Sequence, residues 1–112
     1  MNPKKFKLTK DEIIPLAVGI GGCVATDRIV VDGSKVGYMY REPPINRMDS
    51  GWRFFAGDED ASYMADRTRH GVYDVNTIAN YDPDIVPSLL AEVGSKFERI
   101  PGASFRSLDP RE

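Results

Sequence analysis

Asp58, Glu59 and Asp60 stand in a row, and adjacent carboxylates are what a hard cation such as Ca²⁺ would seek. An EF-hand loop opening at Asp58 fails at its two diagnostic places. The sharp-turn glycine is replaced by Tyr63 and the closing bidentate glutamate by Arg69. A looser oxygen site could add Asp49, Asp66 or Asp74, but such a run on a turn more often forms a solvated surface. Cys23 and His70 are the only residues of their types. A zinc site built on them would need carboxylates for half its ligands, which is not the usual structural set. A Cys–His nucleophile pair is formed in space, so spacing alone does not exclude it. Cys23 lies in an apolar run, where a thiol packs, and His70 lies among Arg67, Thr68, Arg69 and Gly71, which reads as a polar turn.

The glycines at 19, 21 and 22 do not make a phosphate loop. The third glycine of the dinucleotide fingerprint is replaced by Val24, and no Gly-Lys-Ser/Thr follows. Arg41, Arg47, Arg53, Arg67 and Arg69 alternate with aromatics, as in some RNA readers. Glu42, Asp49 and Asp66 sit beside them, and no RNP-type motif is present. These residues therefore predict internal ion pairs, no nucleic-acid partner, no metal and no cofactor.

The elements that must position these groups fit one domain. A chain of 112 residues can bury a core without staples. Its 41% hydrophobic and 29% charged content is that of a globular protein, not a disordered one. The formal net charge of −2 leaves only local fields: residues 1–10 are basic and residues 49–66 mostly acidic. A single cysteine permits no internal disulfide and fits a reducing compartment. The basic start followed by residues 13–22 and Cys23 has the outline of a lipoprotein signal. Asp11, Glu12, Pro15 and the glycines spoil it, and no stretch reaches the ~20 apolar residues of a membrane span.

Residues 1–8 read as a weakly docked start. Thr9-Lys10-Asp11-Glu12 is a capping box that opens a short helix, curtailed by Pro15. Residues 23–31 are β-branched and strand-like, with a bend at Thr26-Asp27-Arg28. Asp32-Gly33 is a hairpin signal that would pair residues 29–31 with 36–38. Residues 36–41 and 51–56 are aromatic-rich strands joined by a proline loop, and Gly37 suggests the close approach of another backbone. The second strand carries Trp52 and Phe54 on one side and Arg53 and Phe55 on the other, which suits a central strand. Tyr38, Tyr40, Trp52 and Phe54 are the expected core.

A helical turn over 61–66 and a strand over 71–75 follow, with Asn76 as a helix cap. Asp82-Pro83 opens a helix whose apolar face is Ile85, Val86, Leu89 and Leu90, ended by Gly94. A last strand spans 95–100. The expected domain is 1–112, with its core at about 9–100 and a polar tail at 101–112. The class is α+β: a twisted, mainly antiparallel sheet with short helices packed on one face.

Four ordered motifs resemble a bacterial family. They are Gly37-Tyr38-Met39-Tyr40-Arg41-Glu42, then Asp49-Ser50-Gly51-Trp52-Arg53-Phe54-Phe55-Ala56-Gly57-Asp58-Glu59-Asp60, a third running from Val72-Tyr73-Asp74 to Tyr81-Asp82-Pro83, and Gly94-Ser95-Lys96-Phe97-Glu98-Arg99. Cys23 to Asp27 is similar to its first strand. The family is immunity protein family thirty-three of the polymorphic toxin systems, first grouped as a domain of unknown function. The resemblance implies a small cytoplasmic protein that binds a cognate toxin without catalysis or cofactor, and it carries over no functional residue. An acidic turn beside an aromatic strand has the character of a protein-binding face. The residues expected to meet the partner are Asp58, Glu59 and Asp60 with neighbouring Asp49 and Arg53. The alternative is a small-ligand- or metal-binding regulatory domain, which would need a concave pocket with convergent polar groups.

Overall fold

Trp52 and Phe54 are fully buried, and the strand that carries them is the spine of the fold. In the computed structural model, which describes residues 4–108, six strands form one sheet. They are β1 (Gly22–Thr26), β2 (Tyr38–Arg41), β3 (Asp49–Phe55), β4 (His70–Asp74), β5 (Lys96–Arg99) and β6 (Phe105–Ser107). Their spatial order is β4-β1-β3-β2-β5-β6, and every neighbouring pair is antiparallel except β1 with β3. The α+β class and the central place of the Trp52 strand are as the pattern predicts.

Helices α1 (Asp27–Val30) and α3 (Val75–Tyr81) and a 3-10 helix at Pro83–Ser88 cover one face. Ile29, Val30, Val75, Ile78, Ala79, Ile85 and Leu89 pack there against Cys23, Ala25, Met39, Trp52 and Phe54. The Trp52 indole N–H donates to the Leu89 carbonyl at 3.1 Å, so the largest core side chain leaves no polar atom orphaned. Helix α2 (Ala61–Ala65) lies towards the opposite face, where Met64 borders Tyr38, Tyr40 and Phe55.

Several expectations are corrected. Residues 27–30 are helical, and Asp32-Gly33 ends that helix rather than turning a hairpin. Gly33 takes φ +81°, its N–H donates to Ile29, and the Ser34 N–H donates to Arg28. A left-handed glycine serves a helix end as well as a tight hairpin, so the local signal fits both. β1 pairs instead with β3 and β4, both distant in sequence.

Asn76 does not cap α3. Asp74 does, accepting the Asn76 N–H at 2.8 Å, and the Asn76 side chain turns away to accept the N–H groups of Leu16 and Ala17. Asn80, one turn on, accepts from Ile14 and donates back to its carbonyl, so the two asparagines staple a loop that has no sheet partner.

The helix after Asp82 is 3-10, with Pro87 inside it. Leu90 is exposed, whereas Ile85 and Leu89 are buried. The 101–112 tail is not wholly polar coil, because β6 pairs with β5 and Phe105 packs against the core; residues 109–112 lie outside the described residues. Nor is the start weakly docked where it is described. Lys4 pairs with Asp27 at 2.7 Å, the Lys7 N–H donates to Val30, and Phe6 meets Tyr73 edge to face. Residues 1–3 lie outside the described residues. The short helix expected after Thr9 is a single 3-10 turn at Lys10–Glu12, held by the expected cap: the Thr9 N–H donates to the Glu12 carboxylate at 2.8 Å.

Candidate protein-binding face

The pleat sends Trp52 and Phe54 into the core, so Arg53 and Phe55 face the other way. Register decides what joins them. Tyr38 lies opposite Phe55 and Tyr40 opposite Arg53, while Val24 lies beside Arg53 and opposite Val72. Tyr38 and Tyr40, expected in the core with Trp52 and Phe54, are therefore not core residues. They are half-buried on the face that α1 and α3 leave uncovered, and it is Met39 between them that is fully buried. The rings of Tyr38, Tyr40 and Phe55 form one cluster with centroids 5.8–5.9 Å apart, Tyr40 and Phe55 stacked within 12° of parallel. With Gly57, Glu59 and Met64 they line a cleft of about 320 Å³.

At the other end of β3 a smaller groove of about 130 Å³ runs between β1 and the 45–48 loop, lined by Val24, Ile45, Met48, Asp49, Arg53 and Val72 among others. Ile45, Met48 and Val72 are 78–79% exposed, which gives this end an apolar surface.

The expected partner-binding residues divide by environment. Arg53, 6% exposed, donates to both Asp49 oxygens at 2.8 and 2.9 Å and to Glu42 at 2.6 Å. Those hydrogen bonds hold the Asp49 carboxyl far below the usual carboxylate range against the opposing effect of desolvation, with help from the N–H groups of Gly51 and Ile45. Glu59 is equally engaged: it accepts the Thr26 hydroxyl at 2.6 Å and the N–H groups of Ala56 and Gly57 at 2.9 and 2.8 Å. Burial works to raise its pKa, but these donors outweigh burial and the net shift is downward.

Asp60 caps α2 through the Tyr63 N–H at 2.8 Å. Asp58, 68% exposed at its side chain, meets Arg28 at 3.3 Å. Of the three acidic residues the structure thus brings Glu59 to the aromatic cleft, and Asp49 stands at the opposite end of the strand, with the Arg53 side chain, whose backbone lies opposite Tyr40, paired to it. Tyr38, Tyr40, Phe55 and Met64 were not among the expected contact residues. The alternation that sends Trp52 inward already sends Phe55 outward, and only the β2 register, which is not local, adds the tyrosines.

The residues read for chemistry are kept apart. The carboxylates of Asp58, Glu59 and Asp60 turn to different partners, and among the described residues no group of three or more His, Cys, Asp or Glu is placed to hold a metal ion. Cys23 is 1% exposed, and desolvation pushes its thiol well above the ordinary range. It lies opposite Tyr73 on β4, whereas His70 lies opposite Thr26 and meets the Met64 carbonyl at 3.1 Å. Among the described residues no helix is long and apolar enough to cross a membrane.

The profile of the Immunity protein Imm33 domain matches residues 23–109, from β1 to just beyond β6. No match was found among curated proteins or among solved structures. The match spans all six strands and both ends of the uncovered face, and the chain belongs to the Immunity protein Imm33 domain family.

Proposed function

We propose that this immunity protein is a non-catalytic binder that neutralises a cognate bacterial toxin of a polymorphic toxin system in the cytoplasm of the producing cell. The uncovered sheet face carries this reading. It combines a half-exposed aromatic cluster, three highly exposed apolar side chains and a carboxylate border. Apolar surface with a charged rim is the composition of a protein-binding patch, and a protein, rather than nucleic acid or membrane, is the partner it suits. Asp58 and Asp60 supply exposed charge at one end, and Asp49 and Arg53 hold the other end of the contact surface in shape.

Co-expression with the neighbouring toxin gene tests the reading. Restored growth and a co-purifying complex are expected; neither appearing defeats it for that pair. Charge reversal at both Asp58 and Asp60 should slow association and weaken its salt dependence. Undiminished affinity would move the contact surface elsewhere and leave the function standing.

A second reading has one observation in its favour. Phe6, Leu8, Lys10, Ile13, Val30, Tyr73, Thr77 and Tyr81 line a cavity of about 450 Å³ under the N-terminal segment, a size that suits a small ligand. Native mass spectrometry of protein purified from its own host, finding no retained small molecule, would count against that role.

A further inference from the structure

We infer that the cleft between Tyr38, Tyr40, Phe55 and Met64 receives one cationic side chain, best an arginine, projected by the toxin, with Glu59 as its counter-charge. This rests on the toxin-binding reading above and names the chemistry of the contact.

Three observations converge on it. First, the cleft wall is aromatic and open: the three rings form a continuous cluster and each is only half-buried. Aromatic faces attract cations through their quadrupoles, arginine above all because its planar guanidinium also stacks. Second, Glu59 lines the same cleft and has no Lys, Arg or His at ion-pair distance among the described residues. Its charge is held by the Thr26 hydroxyl and by backbone N–H groups, not by a cation. Its Oε1 accepts one hydrogen bond, from Gly57, and keeps acceptor capacity. Third, the cation–π contacts within the described residues fall on other rings. Arg28 and Arg69 lie over Tyr63, Arg41 over Trp52 and Arg99 over Phe105. None of these contacts falls on Tyr38, Tyr40 or Phe55.

An aromatic wall with an uncompensated carboxylate favours a cation over a neutral or anionic group. A second copy of this chain is a poor occupant, because a two-fold contact would set Glu59 and its acidic neighbours against themselves.

The experiment uses the intact protein with ¹³C-labelled Phe and Tyr rings. It is titrated with N-acetyl-arginine amide and, in parallel, with N-acetyl-citrulline amide, which keeps the shape and lacks the charge. Saturable shifts of the Tyr38, Tyr40 and Phe55 signals are expected with the arginine compound alone. They should be lost in Tyr40→Leu, with Trp52 emission confirming an intact core, and weakened in Glu59→Gln. No saturable shift, or equal shifts from both compounds, overturns the assignment.

With the toxin, Tyr40→Leu should weaken binding about thirtyfold, the scale of one desolvated cation–π contact. Unchanged affinity in both Tyr40→Leu and Phe55→Leu also overturns it. If the wild-type protein fails to bind the toxin at all, the toxin-binding reading falls, and the titration still decides what the cleft accepts.

Discussion

Arg53 clasps Asp49, four residues earlier on its own strand, with both terminal nitrogens. In a regular strand those positions stand about 13 Å apart, beyond such a two-pronged contact. The clasp forms because β3 is bulged. Between Gly22↔Asp49 and Val24↔Arg53 the register with β1 slips, and Gly51 takes φ +90° at the slip. A side chain there would also collide with the Glu42 carbonyl, which a Cβ would approach to 2.0 Å. The bulge draws the strand back on itself and buries a guanidinium between two carboxylates.

Gly51→Ala is therefore expected to cost more than about 2 kcal/mol, combining left-handed strain with a backbone clash. Gly94→Ala, also at positive φ (+100°) but with open space around its Cβ, should cost only about 1–2 kcal/mol. Urea unfolding of the two variants measures the difference, and equal losses would show that the bulge tolerates a side chain.

Acid should unfold the protein through the same clasp. The folded Asp49 carboxyl lies below its unfolded value, and that of Glu59 is shifted the same way. As pH falls, the unfolded chain takes up protons first. This stabilisation is fully present above the unfolded carboxylate range, near 4, and is lost as pH drops through that range towards the lower folded values. The urea midpoint should be flat from about pH 6 to 8 and fall below about pH 5. Asp49→Asn should lose about 2 kcal/mol at neutral pH and show a shallower acid decline. An unchanged acid slope would remove Asp49 from this role.

Asp82 is fully buried, where it accepts the Val36 N–H at 3.0 Å and pairs with Arg99, which also reaches Asp84 at 3.0 Å. Arg99→Met removes the cation and leaves a buried carboxylate with backbone donors only. A loss of about 3 kcal/mol is expected by thermal or urea unfolding, since breaking a buried pair costs more than the pair is worth. A double variant, Asp82→Leu with Arg99→Met, should recover part of it; a loss no smaller than the single variant's would place the cost in packing.

The Cys23 thiol should resist modification by an aromatic disulfide reagent in native buffer and react at the ordinary rate in denaturant. It is buried, and desolvation disfavours the thiolate that would attack. Its native modification rate should track the unfolding equilibrium across the Gly51 and Arg99 variants. Fast modification of the native protein would show local opening of β1.

Much of this was legible before folding. The Thr9–Glu12 cap, the close approach at Gly37 (where a Cβ would lie 2.0 Å from the Ala56 carbonyl) and the Asp82-Pro83 helix start are local geometries dictated by neighbouring residues. The misreadings share one cause. Asp32-Gly33 supplies a left-handed turn whether a helix or a hairpin precedes it, and partners outside the segment choose. Asn76 is a good cap residue by type, but Asp74 takes that role and the Asn76 amide serves Leu16 and Ala17, some sixty positions away. Phe105 gains its strand only because β5 offers an open edge.

The sequence by itself determined the class of the fold, the spine at Trp52 and Phe54, and membership of an immunity-protein family, because alternation and motif order are written along the chain. The tertiary structure alone decided which aromatics face a partner. Period-2 alternation separates Tyr38 and Tyr40 from Met39 but does not say which side the helices cover. That depends on strand register and on where α1 and α3 dock, and both are set by contacts between distant residues.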